Sequence, residues 1–168
     1  MKTKPFVIAP QDYGRALDVA GTKVNVLVSN KETGGYEVTF QEGEEGTGPR
    51  LHSHGWDEAF FVLRGTAEFK YSEETVLCEP GTLVHLPAGT AHGYTFGPGG
   101  GAVLELAGDG SNATQMFTNM DREFPPGPRD IEKAKAVLAE NGVTQEVNST
   151  GERLKCRFMT RFRPSQHY

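Results

Sequence analysis

Two histidines one residue apart, with a glutamate four positions further on, constrain this chain more than any other stretch. The run is Gly46-x5-His52-x-His54-x3-Glu58-x6-Gly65, and Gly81-x5-Pro87-x-Gly89-x2-His92 follows it. Side chains of a β-strand alternate with a period of two, so His52 and His54 fall on one face. Glu58 keeps that parity and can point where they point. A second segment, reached through strand-like sequence, brings His92. Three imidazoles and a carboxylate form a mixed N/O set suited to a divalent first-row metal. Such a set leaves one or more positions for water, substrate or O₂.

The surrounding sequence is rich in short strands. Residues 22–28 and 35–41 are β-rich runs separated by Asn30, Gly34 and Gly35, the pattern of a hairpin. Residues 42–49 form a polar, Gly-rich turn into the ligand strand. Runs 59–65, 66–72, 75–81, 82–87, 91–97 and 102–108 follow, with Gly, Pro or acidic residues between them. Many short, evenly spaced strands indicate a barrel or sandwich. The 21 glycines in 168 residues fit a chain of many tight turns, and 97–101 (GPGGG) reads as the clearest of them.

After Asp109 the composition changes. Residues 115–120 read as a strand and 121–129 as a proline-rich connector. Asp130 then caps a helix over about 130–141, with Gly142 at its end. Ile131, Ala134, Val137, Leu138 and Asn141 share one weakly apolar face, which suits a cover over one end of a barrel. A lid is the alternative role. Leu154, Cys156, Phe158, Thr160 and Phe162 alternate with basic residues and suggest a strand within 152–168. The length fits one domain, 1–168, with a barrel core over about 22–120.

Residues 46–65 (GTGPRLHSHGWDEAFFVLRG) and 81–96 (GTLVHLPAGTAHGYTF) resemble the paired motifs of the cupin superfamily. The first matches at every signature position. The second departs only at its end, where the family often has Asn and this chain has Phe96. The resemblance covers 22–107 well and extends loosely to small single-domain, quercetin-dioxygenase-like cupins. It implies an all-β fold, the double-stranded β-helix or jelly-roll barrel, with a short C-terminal helix and the metal inside. It does not choose a reaction.

The expected metal ligands are His52, His54, Glu58 and His92. Glu58 admits a second role as catalytic base, since burial raises a carboxylate's pKa. Metal-dependent cupin dioxygenases that cleave flavonols use a glutamate at the matching position in both ways. Parity adds a candidate substrate pocket: Phe60 and Val62 continue the phase of Glu58, and Tyr94 and Phe96 continue that of His92. Val38 and Phe40 complete the same wall. Arg50 shares the phase of His52, at the mouth for an anionic group or simply solvated. The apolar set either lines a cavity or fills the barrel. Trp56, in the turn-like stretch beside Glu58, would touch substrate or a partner subunit.

Composition narrows the rest. A net charge of −5 argues against nucleic acid as a default partner. Five basic residues and no acid lie in 153–168, leaving 12 basic against 22 acidic elsewhere. Pairing of that strand with the acidic body or a second subunit is the favoured reading, and a homodimer is expected. No apolar run approaches the ~20 residues of a membrane span, and the N-terminal segment lacks a signal-like core, so a cytoplasmic protein is expected. Cys78 and Cys156 are read as reduced thiols. The expected function is a metal-dependent, dioxygenase-like oxygenase using Fe, Mn, Ni, Co or Zn on a small aromatic or enolic substrate, with O₂ as co-substrate. A non-oxidative isomerase, lyase, decarboxylase or cyclase is the alternative, and a non-catalytic small-molecule binder the third.

Overall fold

A computed structural model describes residues 4–125 and 130–146. Nine strands form one curled sheet: β1 (Leu17–Val19), β2 (Thr22–Val28), β3 (Glu37–Gly43), β4 (His52–His54), β5 (Glu58–Tyr71), β6 (Glu74–Cys78), β7 (Leu83–Leu86), β8 (His92–Ala107) and β9 (Val143–Gln145). The path runs β1-β2-β3-β8-β4-β9, while β5 pairs with β6, β7 and β8. All pairings are antiparallel. This is the jelly-roll barrel expected from the short strands and their spacing.

Two long strands carry the curl. Strand β5 joins the expected runs 59–65 and 66–72 into one element, and β8 joins 91–97 and 102–108. The glycine run 97–101 is therefore not a strand-ending turn. Gly65 pairs with Gly101 and Ala67 with Phe96, so Gly97–Gly100 bulge out opposite Thr66. Gly99 and Gly100 take φ of +80° and +75°, the left-handed region open to glycine. A Cβ on Gly65 would sit 2.1 Å from the Gly100 carbonyl oxygen, so the strands cross where only glycine fits. The bend lets the first half of β8 carry His92 beside β4 while the second half packs between β3 and β5.

The hairpin expected between 22–28 and 35–41 is present, with one helical turn, α1 (Asn30–Thr33), at its tip. Residues 115–120, expected as a strand, lie instead in helix α2 (Ala113–Glu123). Met116, Phe117 and Met120 recur at i, i+1 and i+4 on one buried face, a helical period that outweighs the β-like composition. The buried Glu37 carboxylate holds the start of this helix, accepting from Ser111 Oγ at 2.7 Å, Thr114 N at 3.2 Å and the Thr114 hydroxyl. Helix α3 (Ile131–Glu140) lies where expected, and Asp130 accepts from the amides of Glu132 and Lys133. Val137 and Asn141 are buried and Ala134 and Leu138 pack beside them, but Ile131 is exposed.

The core divides in two. Trp56, Val24, Val143 and Val137 pack with α2 into one cluster under the helices. Phe60, Val62, Phe69, Val84, Leu86, Tyr94, Phe96 and Val103 fill the barrel. Cys78 is a buried free thiol. The expected strand in 152–168, with Cys156, lies outside the described residues. Among the described residues no helix is long and apolar enough to cross a membrane.

Candidate metal centre

Strand pairing assembles the centre. His52 of β4 is directly opposite His92 of β8, and β5 begins at Glu58. The imidazole rings of His52 and His92 lie 4.4 Å apart, and those of His54 and His92 4.9 Å. One ligand nitrogen from each of the three lies within 4.8 Å of the others, a triad able to hold a metal ion.

The tautomers are set by the backbone. His52 Nδ1 lies 2.8 Å from the Arg50 carbonyl, His92 Nδ1 2.9 Å from that of Thr90, and His54 Nδ1 3.1 Å from that of Trp56. A carbonyl only accepts, so each Nδ1 carries hydrogen and each Nε2 turns its lone pair to the centre. Glu58 Oε2 lies 2.8 Å from His92 Nε2 and 3.3 Å from His54 Nε2. The His54 contact is within hydrogen-bonding reach, although an Nε2 lone pair and an ionised carboxylate share no proton. The His92 contact is close but misdirected, and His92 Nε2 is buried with no aligned partner among the described residues. Donors that crowd a common point without satisfying one another suit a cation between them.

Electrostatics agree with ligand readiness at His52 and Glu58. Burial, reinforced by the neighbouring His92, holds His52 down at about 4, so it is neutral at physiological pH. Burial also works against charge on His92, but the closeness and negative charge of Glu58 outweigh it and raise His92 above its ordinary value. At Glu58 burial pushes upward, yet the close approach of the His54 and His92 imidazoles and of Glu105 prevails and holds the carboxyl below the usual carboxylate range. Trp56 lies flat on His54, rings 4.1 Å apart and 7° from parallel.

The expected pocket residues separate into two groups. Phe60, Val62, Tyr94 and Phe96 are buried together beneath the triad, with Phe60 5.5 Å and Phe96 5.1 Å from the Tyr94 ring. They pack the barrel floor. Val38 and Phe40 are half-buried on the opposite face of β3, where Phe40 meets Tyr13 at 6.2 Å. The inward residues are Glu37, Thr39 and Gln41. Arg50 is exposed and serves the centre through its carbonyl. Trp56 is neither at the rim nor available to a partner subunit: it is 5% exposed. His85 is exposed on the outer face.

Sequence reasoning missed Glu105. It is buried on the inner face of β8, opposite Thr39 of β3 and Phe60 of β5. It accepts from the Thr39 hydroxyl and Gln41 Nε2 and shares a hydrogen bond with Glu58. Burial and then the Glu58 charge push Glu105 well above the carboxylate range. The two carboxyls are thus pushed in opposite directions. The available signal was the alternation Val38-Thr39-Phe40-Gln41, whose usual phase sends the apolar pair inward.

Residues 36–104 match the family model of the Cupin domain. No curated protein matches the sequence. Among solved structures, KdgF from Halomonas sp. is similar at 16% identity and a TM-score of 0.56, over 63% of this chain and 96% of that one. An RmlC-like cupin from Shewanella frigidimarina gives 14% and 0.57, over 65% and 95%. The polyketide cyclase RemF from Streptomyces resistomycificus gives 20% and 0.54, over 62% and 80%. At these identities the likeness is one of fold. The family match spans all three histidines and Glu58, so over that stretch the chain is similar to cupin domains.

Proposed function

We propose that this cupin barrel binds a divalent transition metal through His52, His54, His92 and Glu58, and is a dioxygenase-like oxygenase of small enolic or aromatic substrates. The observation behind this reading is the shared tautomer: three Nδ1 atoms tied to backbone carbonyls, three imidazoles within reach of one ion, and Glu58 Oε2 beside the Nε2 atoms of His54 and His92. A mixed N/O set suits Fe, Mn, Ni or Co, and the bound ion would hold substrate oxygen and O₂ side by side. Half-buried His52 marks the side open to solvent. Glu58 would take the proton of the substrate's enol or phenol. The test is metal analysis of purified protein and of a His52→Ala/His54→Ala variant, followed by oxygen-uptake measurements with flavonols and other enols. Stoichiometric Fe, Mn, Ni or Co, lost in the variant, with substrate-dependent oxygen uptake, is expected. A protein that binds no metal after reconstitution overturns the reading.

A second reading is favoured by the Glu58–Glu105 pair. Two carboxyls pushed in opposite directions can move a proton without an oxidant, which suits isomerase, lyase, decarboxylase or cyclase chemistry. The similar polyketide cyclase barrel is consistent with it. Turnover without oxygen uptake would select this alternative.

The outer face supports a homodimer. Phe61 pairs across strands with Leu83 and Leu104, and Ala59 with Leu106 and His85, next to Val38 and Phe40. Phe61, Leu83 and Leu106 are exposed, an apolar sheet face that a second copy would cover. Light scattering at micromolar concentration should return twice the monomer mass, and a monomer mass refutes the dimer.

A further inference from the structure

Strand register holds His52 and His92 together, since they pair directly across β4 and β8. His54 closes β4 and pairs instead with Val143 of β9, which is no ligand. Its Nδ1 lies 3.1 Å from the Trp56 carbonyl, which fixes the tautomer. The second side-chain torsion of a histidine is soft, and a carbonyl accepts over a broad range of directions. That one bond therefore leaves the ring room to turn. The Trp56 indole removes the freedom, stacked on the imidazole at 4.1 Å and 7° from parallel. The ring contacts of His52 and His92 are of another kind, tilted or edge-on at 50° to 81°.

The indole is itself held from behind. Trp56 is buried in one cluster with Met116 and Phe117 of α2, Val137 of α3 and Val143 of β9. A Cβ at Gly142 would lie 3.9 Å from Trp56 Cζ3, so the turn between α3 and β9 also passes against the ring. Asn141 Nδ2 donates to the Val137 carbonyl at 2.7 Å, and Asn141 Oδ1 accepts from Asn112 and Asn119, which ties the end of α3 to α2. Trp56 Nε1 is buried with no hydrogen-bond partner among the described residues. With no polar anchor among them, the packing of α2, α3 and β9 sets the plane of the indole. The flat face is what this position uses.

We infer that Trp56 is a positioning residue: clamped by α2, α3 and β9, its indole fixes the ring plane of His54 and so the direction of the Nε2 lone pair offered to a metal. This rests on the reading of His54 as a ligand. The lone pair lies in the ring plane, so turning the imidazole swings it away from the point that the triad can share. A flat neighbour is required, and bulk alone does not suffice. Trp56→Phe keeps a ring on the imidazole face. Trp56→Leu keeps an apolar side chain and offers no plane. Were Trp56 core filling only, affinity would follow stability and not ring shape.

The experiment is Co(II) titration of the metal-free full chain, read by the visible d–d bands, for wild type, Trp56→Phe, Trp56→Leu, Met120→Ala and His54→Ala. Circular dichroism and thermal unfolding of each metal-free variant accompany it. Loss of a group that orients a metal ligand typically weakens affinity about 10–100-fold; Trp56→Leu should show a loss of that order and shifted bands, while Trp56→Phe keeps the wild-type bands and stays within about threefold. Met120→Ala thins the same cluster and leaves the indole in place, so it should lower the melting temperature and keep wild-type bands and affinity. Should Trp56→Leu fail to fold, Trp56→Met, an unbranched filler with no plane, should weaken Co(II) in its stead. Equal affinity and bands in Trp56→Phe and Trp56→Leu overturn the inference, and so does a Met120→Ala variant that loses Co(II) as Trp56→Leu does. If His54→Ala binds Co(II) as wild type does, with identical bands, the ligand reading itself falls. Weakening in His54→Ala with wild-type binding in Trp56→Leu sinks the positioning role alone.

Discussion

Replacing Trp56 by alanine should cost the metal-free protein about 3–5 kcal/mol of folding stability, and replacing it by phenylalanine less than about 1.5 kcal/mol. Trp56 is 5% exposed and joins Met116, Phe117, Val137 and Val143 in the cluster beneath the helices. A tryptophan so placed hides up to about 250 Å². At about 25 cal/mol per Å² that is worth about 6 kcal/mol, an upper bound because the denatured chain is itself partly compact. Against this stands Nε1, buried with no hydrogen-bond partner among the described residues, a penalty of about 1–3 kcal/mol. The difference falls within the usual range for Trp→Ala. Phenylalanine keeps a ring against His54 and deletes the unpaired N–H, so the cavity it leaves is offset by the polar group it removes. Urea unfolding followed by circular dichroism measures both, because the substitutions remove the chain's single tryptophan. A Phe variant as unstable as the Ala variant would refute the reasoning, since Nε1 would then have to contribute stability.

The same ring is a built-in probe: stacked 4.1 Å from His54, its emission should be quenched by Co(II) and restored by EDTA. Unchanged emission at saturating Co(II) would remove His54 from the site. His52 titrates at about 4 folded and about 6.5 unfolded, so the unfolded chain binds more protons between those values. The stability this contributes is present above pH 6.5 and lost as pH falls toward 4, by about 2–3 kcal/mol. His52→Asn should flatten that part of the metal-free protein's pH–stability curve, and a curve as steep as wild type contradicts the assignment. Glu58→Gln should retain metal and lose turnover by about 10²–10⁴-fold, and retained turnover dismisses the base role.

The metal centre was legible because it depends on rare residue types and one periodicity. His52 and His54, two of the chain's five histidines, share one strand face, and Glu58 opens the next strand after the turn at 55–57. The helix after Asp130 was legible for a similar reason, through its cap and its Gly142 stop. Elements without such punctuation were misread. Residues 115–120 hold Met, Phe and Thr, whose β-like composition concealed a helix that Glu37, 77 positions away from Thr114, caps through the fold. The glycines of 97–101 were misread in the opposite sense: their freedom serves a bulge where two strands cross, and the chain continues in the same direction.

Strand β3 explains why the pocket wall was assigned to the wrong residues. The usual expectation sends Val38 and Phe40 inward and Thr39 and Gln41 to solvent. Here the polar residues face in, because Thr39 pairs opposite Glu105 and their side chains satisfy one another away from water. A one-residue slip would exchange the two faces and leave Glu105 buried without donors, at a cost well beyond the gain from burying two apolar side chains. The hydrogen-bond network thus fixes the register of β3 against β8, and through it the position of the β8 bend that carries His92 to His52. The same choice turns Val38 and Phe40 outward beside Phe61 and Leu106. The polar floor under the metal centre and the apolar outer face are two consequences of one register.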